Sequence, residues 1–243
     1  MVESHLPRCY RMTVMGADAS VEMPSTASLE QLKVFPLPET VLFPGTILPL
    51  HIFEPRYRAM VADALKADRV LAIALLKPGY EADYQGRPPI HDVVGVGRIT
   101  RVQKEEDGRY YLALQGLCRA RILQELPPNQ PYRVAATRML PDVMPPSGEA
   151  ALRTPLETLR ACFLKLLAHI PDRAGPLLEI LDHIKEPGAL ADVLCAAALA
   201  NADERQRALA TPEIVSRLEQ ATDAVADLLL RAESQGGVRG LPA

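Results

Sequence analysis

Apolar positions change their period twice along this 243-residue chain. Leu32, Val34, Phe35 and Leu37 make a first short strand, which Pro36 and Pro38 confine to an edge or an end. Residues 46–52 read as a second strand, interrupted by Pro49. Tyr57, Met60, Val61, Ala64 and Leu65 then recur at helical spacing, and Pro55 suits the first turn, where its missing N–H costs nothing. Residues 70–76 form a continuous apolar run, as in a strand covered on both faces. Residues 93–102 and 109–115 flank Glu105, Glu106, Asp107 and Gly108, and the Asp-Gly pair supplies the positive φ of a tight hairpin. Gly116 is expected to break the second of these strands, with 117–126 as another and 132–138 as the last. Short strands with turns at this spacing predict a small barrel or sandwich.

Beyond residue 140 the period lengthens. Leu152, Leu156, Leu159, Phe163, Leu166, Leu167 and Ile170 share one helix face, and Pro171 is expected to end that helix. Shorter helices are predicted over 176–184 and 189–200. A final helix is predicted to open with Thr211 as N-cap and Pro212 at the first position, presenting Ile214, Leu218, Ala221, Val225, Leu228 and Leu229. The resulting division is a disordered leader over 1–28, a β-rich domain over 29–140, a Pro-rich hinge over 141–148, a helical bundle over 149–235 and a tail over 236–243. The fold class is α+β.

Composition narrows function by exclusion. The net charge of −3 gives no global attraction to nucleic acid or anionic lipid. Cys9, Cys118, Cys162 and Cys195 are scattered, without the paired spacing of a zinc module, and fit small apolar side chains in a reducing compartment. The longest strongly apolar run, 193–200, falls far short of the roughly 20 residues that cross a bilayer. With no secretory leader pattern, a cytoplasmic location away from membranes is expected.

Catalytic chemistry finds little support. There is no GxxxxGK[ST] phosphate loop, and neither Ser147, Ser216 nor Ser234 lies in a GxSxG elbow. His5, His51, His91, His169 and His183 show no HExxH spacing, and His51 reads as a satisfied, partly buried ring. Glu54 and Arg56 read as an ion pair at a helix start. No catalytic, cofactor-binding or metal-binding residue is expected, and the chain is expected not to be an enzyme.

The stretch from Phe35 to Tyr57, above all Pro49-Leu-His-Ile-Phe-Glu-Pro-Arg-Tyr57 with Met60, resembles the start of the N-terminal domain of Lon, the ATP-dependent protease. Gly95-Val-Gly97, Asp107-Gly-Arg-Tyr-Tyr111, Gly116-Leu-Cys-Arg119 and Pro131-Tyr-Arg-Val-Ala135 extend the resemblance through the β-rich half. The helical half matches more loosely, through residues 190–195, 204–206 and 217–218, and lacks the family's Lys-Gln and Leu-Leu-Glu pattern. The resemblance implies a PUA-like pseudo-barrel with one helix followed by a helical bundle. It also implies a non-catalytic, stand-alone substrate-recognition domain, without the ATPase and serine–lysine protease modules of full Lon. Expected partners are unfolded or degradation-prone polypeptides, or an ATP-dependent protease; self-association into a homo-oligomer is compatible with this.

Two surfaces are candidates. Phe43, Pro44 and Ile47 in the apolar turn, with Tyr80 and Tyr84 in the loop after the buried strand, are expected to hold polypeptide by burying apolar area. The alternative is RNA binding by a basic strand face carrying Arg98, Arg101, Arg119 and Arg121, because eight basic residues face only four acidic ones between 98 and 138. The absence of Trp and of clustered aromatics for base stacking counts against it.

Overall fold

The computed structural model describes residues 22–234. Its elements run α1 (Thr26–Glu30), β1 (Leu32–Leu37), β2 (Ile47–Ile52), α2 (Pro55–Leu65), β3 (Val70–Leu75), a 3-10 turn (Tyr80–Asp83), β4 (Val93–Lys104), β5 (Tyr110–Glu125) and β6 (Arg133–Met139). The helices α3 (Ala150–Ala168), α4 (Pro171–His183), α5 (Pro187–Ala198), α6 (Ala202–Ala210) and α7 (Ile214–Ser234) complete an α+β fold. Residues 1–21 of the leader expected over 1–28, and all of the tail expected over 236–243, lie outside the described residues.

Five strands close on themselves. β4 joins β5 to β3, β3 pairs in parallel with β1, β1 pairs with β6, and β6 returns to the second half of β5. Among the described residues β2 pairs only with the first half of β5, and its other edge carries no strand. All six positions of β3 are buried, as its unbroken apolar run predicts. One face of the sheet packs Leu71, Ile73, Ile99, Leu112 and Leu114 against Tyr57, Met60 and Val61 of α2. The other packs smaller residues, among them Val34, Ala72, Val94, Ala120 and Ala135.

Gly116 does not break a strand: β5 runs uninterrupted for 16 residues. The glycine serves a close approach instead. Residues 41–46 lie flat on the sheet, with the Gly45 N–H donating to the Gly116 carbonyl at 3.0 Å and the Gly116 N–H to the Thr46 carbonyl at 2.8 Å. A Cβ on Gly116 would overlap the Phe43 carbonyl, and one on Gly95 the Leu42 carbonyl. Only glycine leaves room for backbone against backbone here. Leu42 is thereby directed into the α2 core while Phe43 joins the helical core that also holds Leu190 and Leu194.

The helical half departs from expectation at two starts. Pro171 begins α4 instead of only ending α3. Thr211 is the C-cap of α6, its hydroxyl donating to the Arg207 carbonyl at 2.8 Å, and α7 begins at Ile214. The helix α6 was itself overlooked although its signal is local. Asn201 Oδ1 accepts from the Glu204 N–H at 2.9 Å, and Glu204 Oε2 accepts from the Ala200 N–H at 3.1 Å, in the manner of a capping box. α1 crosses the end of the leader expected to be disordered over 1–28, its first turn capped by Ser25, whose hydroxyl accepts from the Ser28 N–H.

Residues 141–148, read as a hinge, are fixed at two points. The Val143 N–H donates to the Pro212 carbonyl at 2.8 Å, and its carbonyl accepts from the Ile214 N–H at 3.2 Å. Asp142 accepts from Arg119 and from Arg217, at 3.0 and 2.8 Å. The same two arginines converge on Asp192 in α5, Arg119 through Nη2 and Arg217 through Nε at 3.0 Å. Arg119 Nε also donates to the Leu209 carbonyl at 3.0 Å, and Arg217 Nη1 to the carbonyls of Thr211 and Pro212. A buried charge cluster therefore joins sheet to helices, with Gln206 Nε2 adding a bond to the Val93 carbonyl at 2.9 Å.

Among the described residues no helix is long and apolar enough to cross a membrane, and no group of His, Cys, Asp and Glu could hold a metal ion. Cys118 and Cys195 are buried and burial pushes their thiols up, to about 11 and about 12. Cys162 is half-buried, and Cys9 lies outside the described residues.

Candidate functional site

The expected polypeptide contacts do not form one surface. Phe43 is 0% exposed and belongs to the helical core, so it is withdrawn as a contact residue. Pro44 and Ile47 are half-buried near the start of β2. Tyr80 and Tyr84 are half-buried in the loop after β3, with ring centroids 6.2 Å apart. Tyr84 is held from α2: its carbonyl accepts from Arg56 Nη2 at 3.3 Å, and its hydroxyl donates to Glu54 Oε1 at 3.4 Å. The length of β2, roughly 20 Å at about 3.3 Å per residue, separates that end from Ile47.

The basic strand face is likewise divided. Arg119 is 3% exposed inside the charge cluster and cannot meet a nucleic acid. Arg98 donates to the Glu22 carbonyl and carboxylate at 2.9 and 3.2 Å. Arg121 lies 3.8 Å from Asp92, and both Arg121 and Arg101 are exposed.

The outer face of β2 presents a different set. Leu48, Leu50 and Ile52 pack inward on the α2 core. By strand alternation Ile47, Pro49, His51 and Phe53 point the other way. Ile47 and Phe53 join none of the hydrophobic clusters, and Phe53 is 49% exposed. His51 stacks on its cross-strand partner Tyr111 at 4.4 Å with planes 7° apart, and its ring centroid lies 5.7 Å from that of Phe53. Its Nε2 finds no hydrogen-bond partner among protein atoms, contrary to the expected satisfied ring. Burial, followed by the charge of Arg109, holds the imidazole below its ordinary value, so it is neutral at pH 7 and the stripe stays uncharged. Sequence alternation alone could have found this face; what hid it was that both faces of β2 are apolar.

A second feature is a cleft of about 230 Å³ where α2, the loop after β3 and the start of β6 meet. Its walls include Tyr57, Tyr84, Pro88, Pro131 and Tyr132. Arg56, Arg87 and Arg133 line it. Arg56 lies 4.6 Å from the Tyr57 ring centroid and donates through Nε to Glu54 Oε2 at 3.0 Å, the expected ion pair. Arg133 donates to the Pro88 carbonyl at 2.6 Å and reaches Glu125 at 3.4 Å; Arg87 approaches the same carboxylate at 3.6 Å. The motif Glu54-Pro-Arg-Tyr57 thus organises one wall of this cleft.

The model of the ATP-dependent protease La (LON) substrate-binding domain matches residues 31–227, covering both the barrel and the helices. The chain belongs to the Lon substrate-binding domain family. A Lon protease of Anaeromyxobacter dehalogenans is 30% identical over 190 residues, covering 77% of this chain and 22% of its own length. The Lon protease of Syntrophus aciditrophicus is 28% identical over 214 residues, covering 83% and 27%. The chain therefore spans about a quarter of the length of these Lon relatives, and the matched part is their substrate-binding domain. Among solved structures, the N-terminal domain of the Mycobacterium avium complex Lon protease superposes with a TM-score of 0.61 at 22% identity, covering 81% of this chain and 98% of that one. A Lon N-terminal domain protein from Xanthomonas campestris gives 0.52 at 22% identity, covering 78% and 95%. At that identity the likeness establishes the Lon N-terminal fold, and the family match adds that this is a Lon-like substrate-recognition domain.

Proposed function

We propose that this Lon-type domain binds unfolded or degradation-prone polypeptides without catalysing their cleavage, in protein quality control or as an adaptor that delivers them to an ATP-dependent protease. The observation that carries the reading is the unpaired edge of β2 beside the apolar stripe of Ile47, Pro49, His51 and Phe53. An extended client gains main-chain hydrogen bonds along a free strand edge and buries alternate side chains on the adjoining face. Pro49 contributes no N–H to that edge, which guards against uncontrolled strand addition between copies.

Phe53→Asp tests the surface. Losing about 1.5–3 kcal/mol of apolar burial corresponds to binding weaker by about 10- to 100-fold. Fluorescence anisotropy with labelled, reduced and carboxymethylated casein measures it. Phe53 is half-exposed, so the unfolding midpoint in urea should barely move. Equal affinity of the variant and the parent protein would remove β2 from the binding surface.

Acid should weaken the same binding. With its pKa held below 6.5, His51 is neutral at pH 7 and gains charge only as the pH falls beneath that value. A charged ring in the stripe opposes apolar burial. Casein affinity is expected to fall as the pH drops below 6.5, and His51→Phe should abolish most of that dependence.

A further inference from the structure

We infer that the cleft between α2, the loop after β3 and the start of β6 is a site for a carboxylate carried by a polypeptide. Three guanidinium groups, Arg56, Arg87 and Arg133, line it; Glu54 and Glu125 pair with them from beside the cleft, and Asp83 accepts from the Arg87 backbone N–H at 3.2 Å. Glu54 is taken by Arg56 at hydrogen-bond distance. Glu125 is shared, at 3.4 Å from Arg133 and 3.6 Å from Arg87. The second distance is too long for a hydrogen bond and the first is marginal. Arg87 and Arg133 therefore hold one carboxylate loosely between them, and a second, better-placed one would complete both forks.

The surroundings strengthen that demand for an anion. Burial pulls the Arg133 guanidinium below its ordinary value; Glu125 opposes this, while Arg87 and Arg56 push the same way as burial. Its charge is thus incompletely compensated where it sits. Tyr57, Pro88 and Tyr132 are buried beside Arg133, and where they shield it from water a charge-assisted bond is worth more. A volume of about 230 Å³ is smaller than the roughly 300–1,000 Å³ of cofactor pockets. It suits one side chain or one chain end. A nucleic-acid backbone instead needs a track of cations, and here three guanidinium groups are matched by the carboxylates of Glu54, Asp83 and Glu125.

This site is distinct from the β2 face, so the two readings fail separately. The test uses the full chain and three hexapeptides built on Gly, Ser and Ala and labelled with an uncharged BODIPY dye, so that the label adds no carboxylate. One ends in a free carboxylate, one is amidated with an internal Glu, and one is amidated with no acid. Anisotropy at low salt should show binding of the first, the second or both, and the arm that binds identifies the carboxylate as a chain end or a side chain. The acid-free peptide should bind at least about tenfold more weakly. Arg87→Glu should weaken the acidic peptides by about tenfold or more. Arg87 is partly exposed, so its replacement spares the fold; circular dichroism of the variant checks this. The proposal is overturned by equal binding of all three peptides, by no binding of any, or by acidic-peptide affinity indifferent to Arg87→Glu. Arg87-dependent capture of single-stranded RNA without capture of the peptides overturns it too.

Discussion

Asp192→Ala should lower the stability of this protein by about 3–5 kcal/mol, the cost of leaving buried charges without their partner. The carboxylate is 2% exposed and faces Arg119 and Arg217, which are 3% and 0% exposed. Asp142 remains near both arginines, but its side chain is 35% exposed and belongs to the segment at the rim. Urea unfolding followed by circular dichroism measures the loss as a lower midpoint. A shift below about 1 kcal/mol, the scale of a surface ion pair, would mean that Asp142 alone satisfies the cluster. Replacing Arg119, Asp192 and Arg217 together by apolar residues of similar volume should recover much of the stability, because desolvation of all three charges then disappears.

The cluster also sets a pH dependence. Burial raises the Asp192 carboxyl from 3.8 to about 6, against the opposing pull of Arg119 and Arg217. Between those values the folded state holds more protons at this site than the unfolded state. Its contribution to stability is therefore greatest below about pH 4, declines as pH rises to about 6, and is constant above. The stability difference between the parent protein and Asp192→Asn should narrow or reverse in that direction over the same window. A difference independent of pH would show that the carboxylate titrates alike in both states.

Phe43→Ser should cost about 3–5 kcal/mol, with the buried hydroxyl adding to the cavity. Phe43 is fully buried between residues 41–46 and the helical core, so the loss should appear in the unfolding midpoint. At a temperature where the variant is folded, casein affinity should match the parent. The opposite result, weak binding with unchanged stability, would place Phe43 at the surface and contradict its burial in the helical core.

Much of the framework was legible in the amino-acid order. The buried run of β3, the helical periods of α2 and α3 and the Asp107-Gly108 hairpin are local signals, and their elements form where the pattern puts them. The Lon resemblance, carried by residues 49–60, likewise named the family that the chain matches over 31–227. Failures arose where distant chain segments decide. Gly116 looks like a strand breaker until the Phe43 carbonyl is laid against it. Thr211 and Pro212 carry a helix-start signature, yet the bonds to Arg207, Val143 and Arg217 place them between two helices.

The same distinction separates the chain's composition from its surfaces. Sequence alone determined the fold class, the family and the change from strands to helices, because these rest on periodicity and motif within short windows. Tertiary structure decided which side chains face water. Arg119 stands among other strand arginines and resembles them in every local respect. It is buried because Asp192, 73 positions away, and Asp142 supply the negative charge that makes burial tolerable. Ile47 and Phe53 are left outside because β2 has a strand on one edge only and its other apolar face already fills the α2 core. Solvation depends on what arrives from elsewhere in the chain, and that is settled only when the barrel closes and the helices dock.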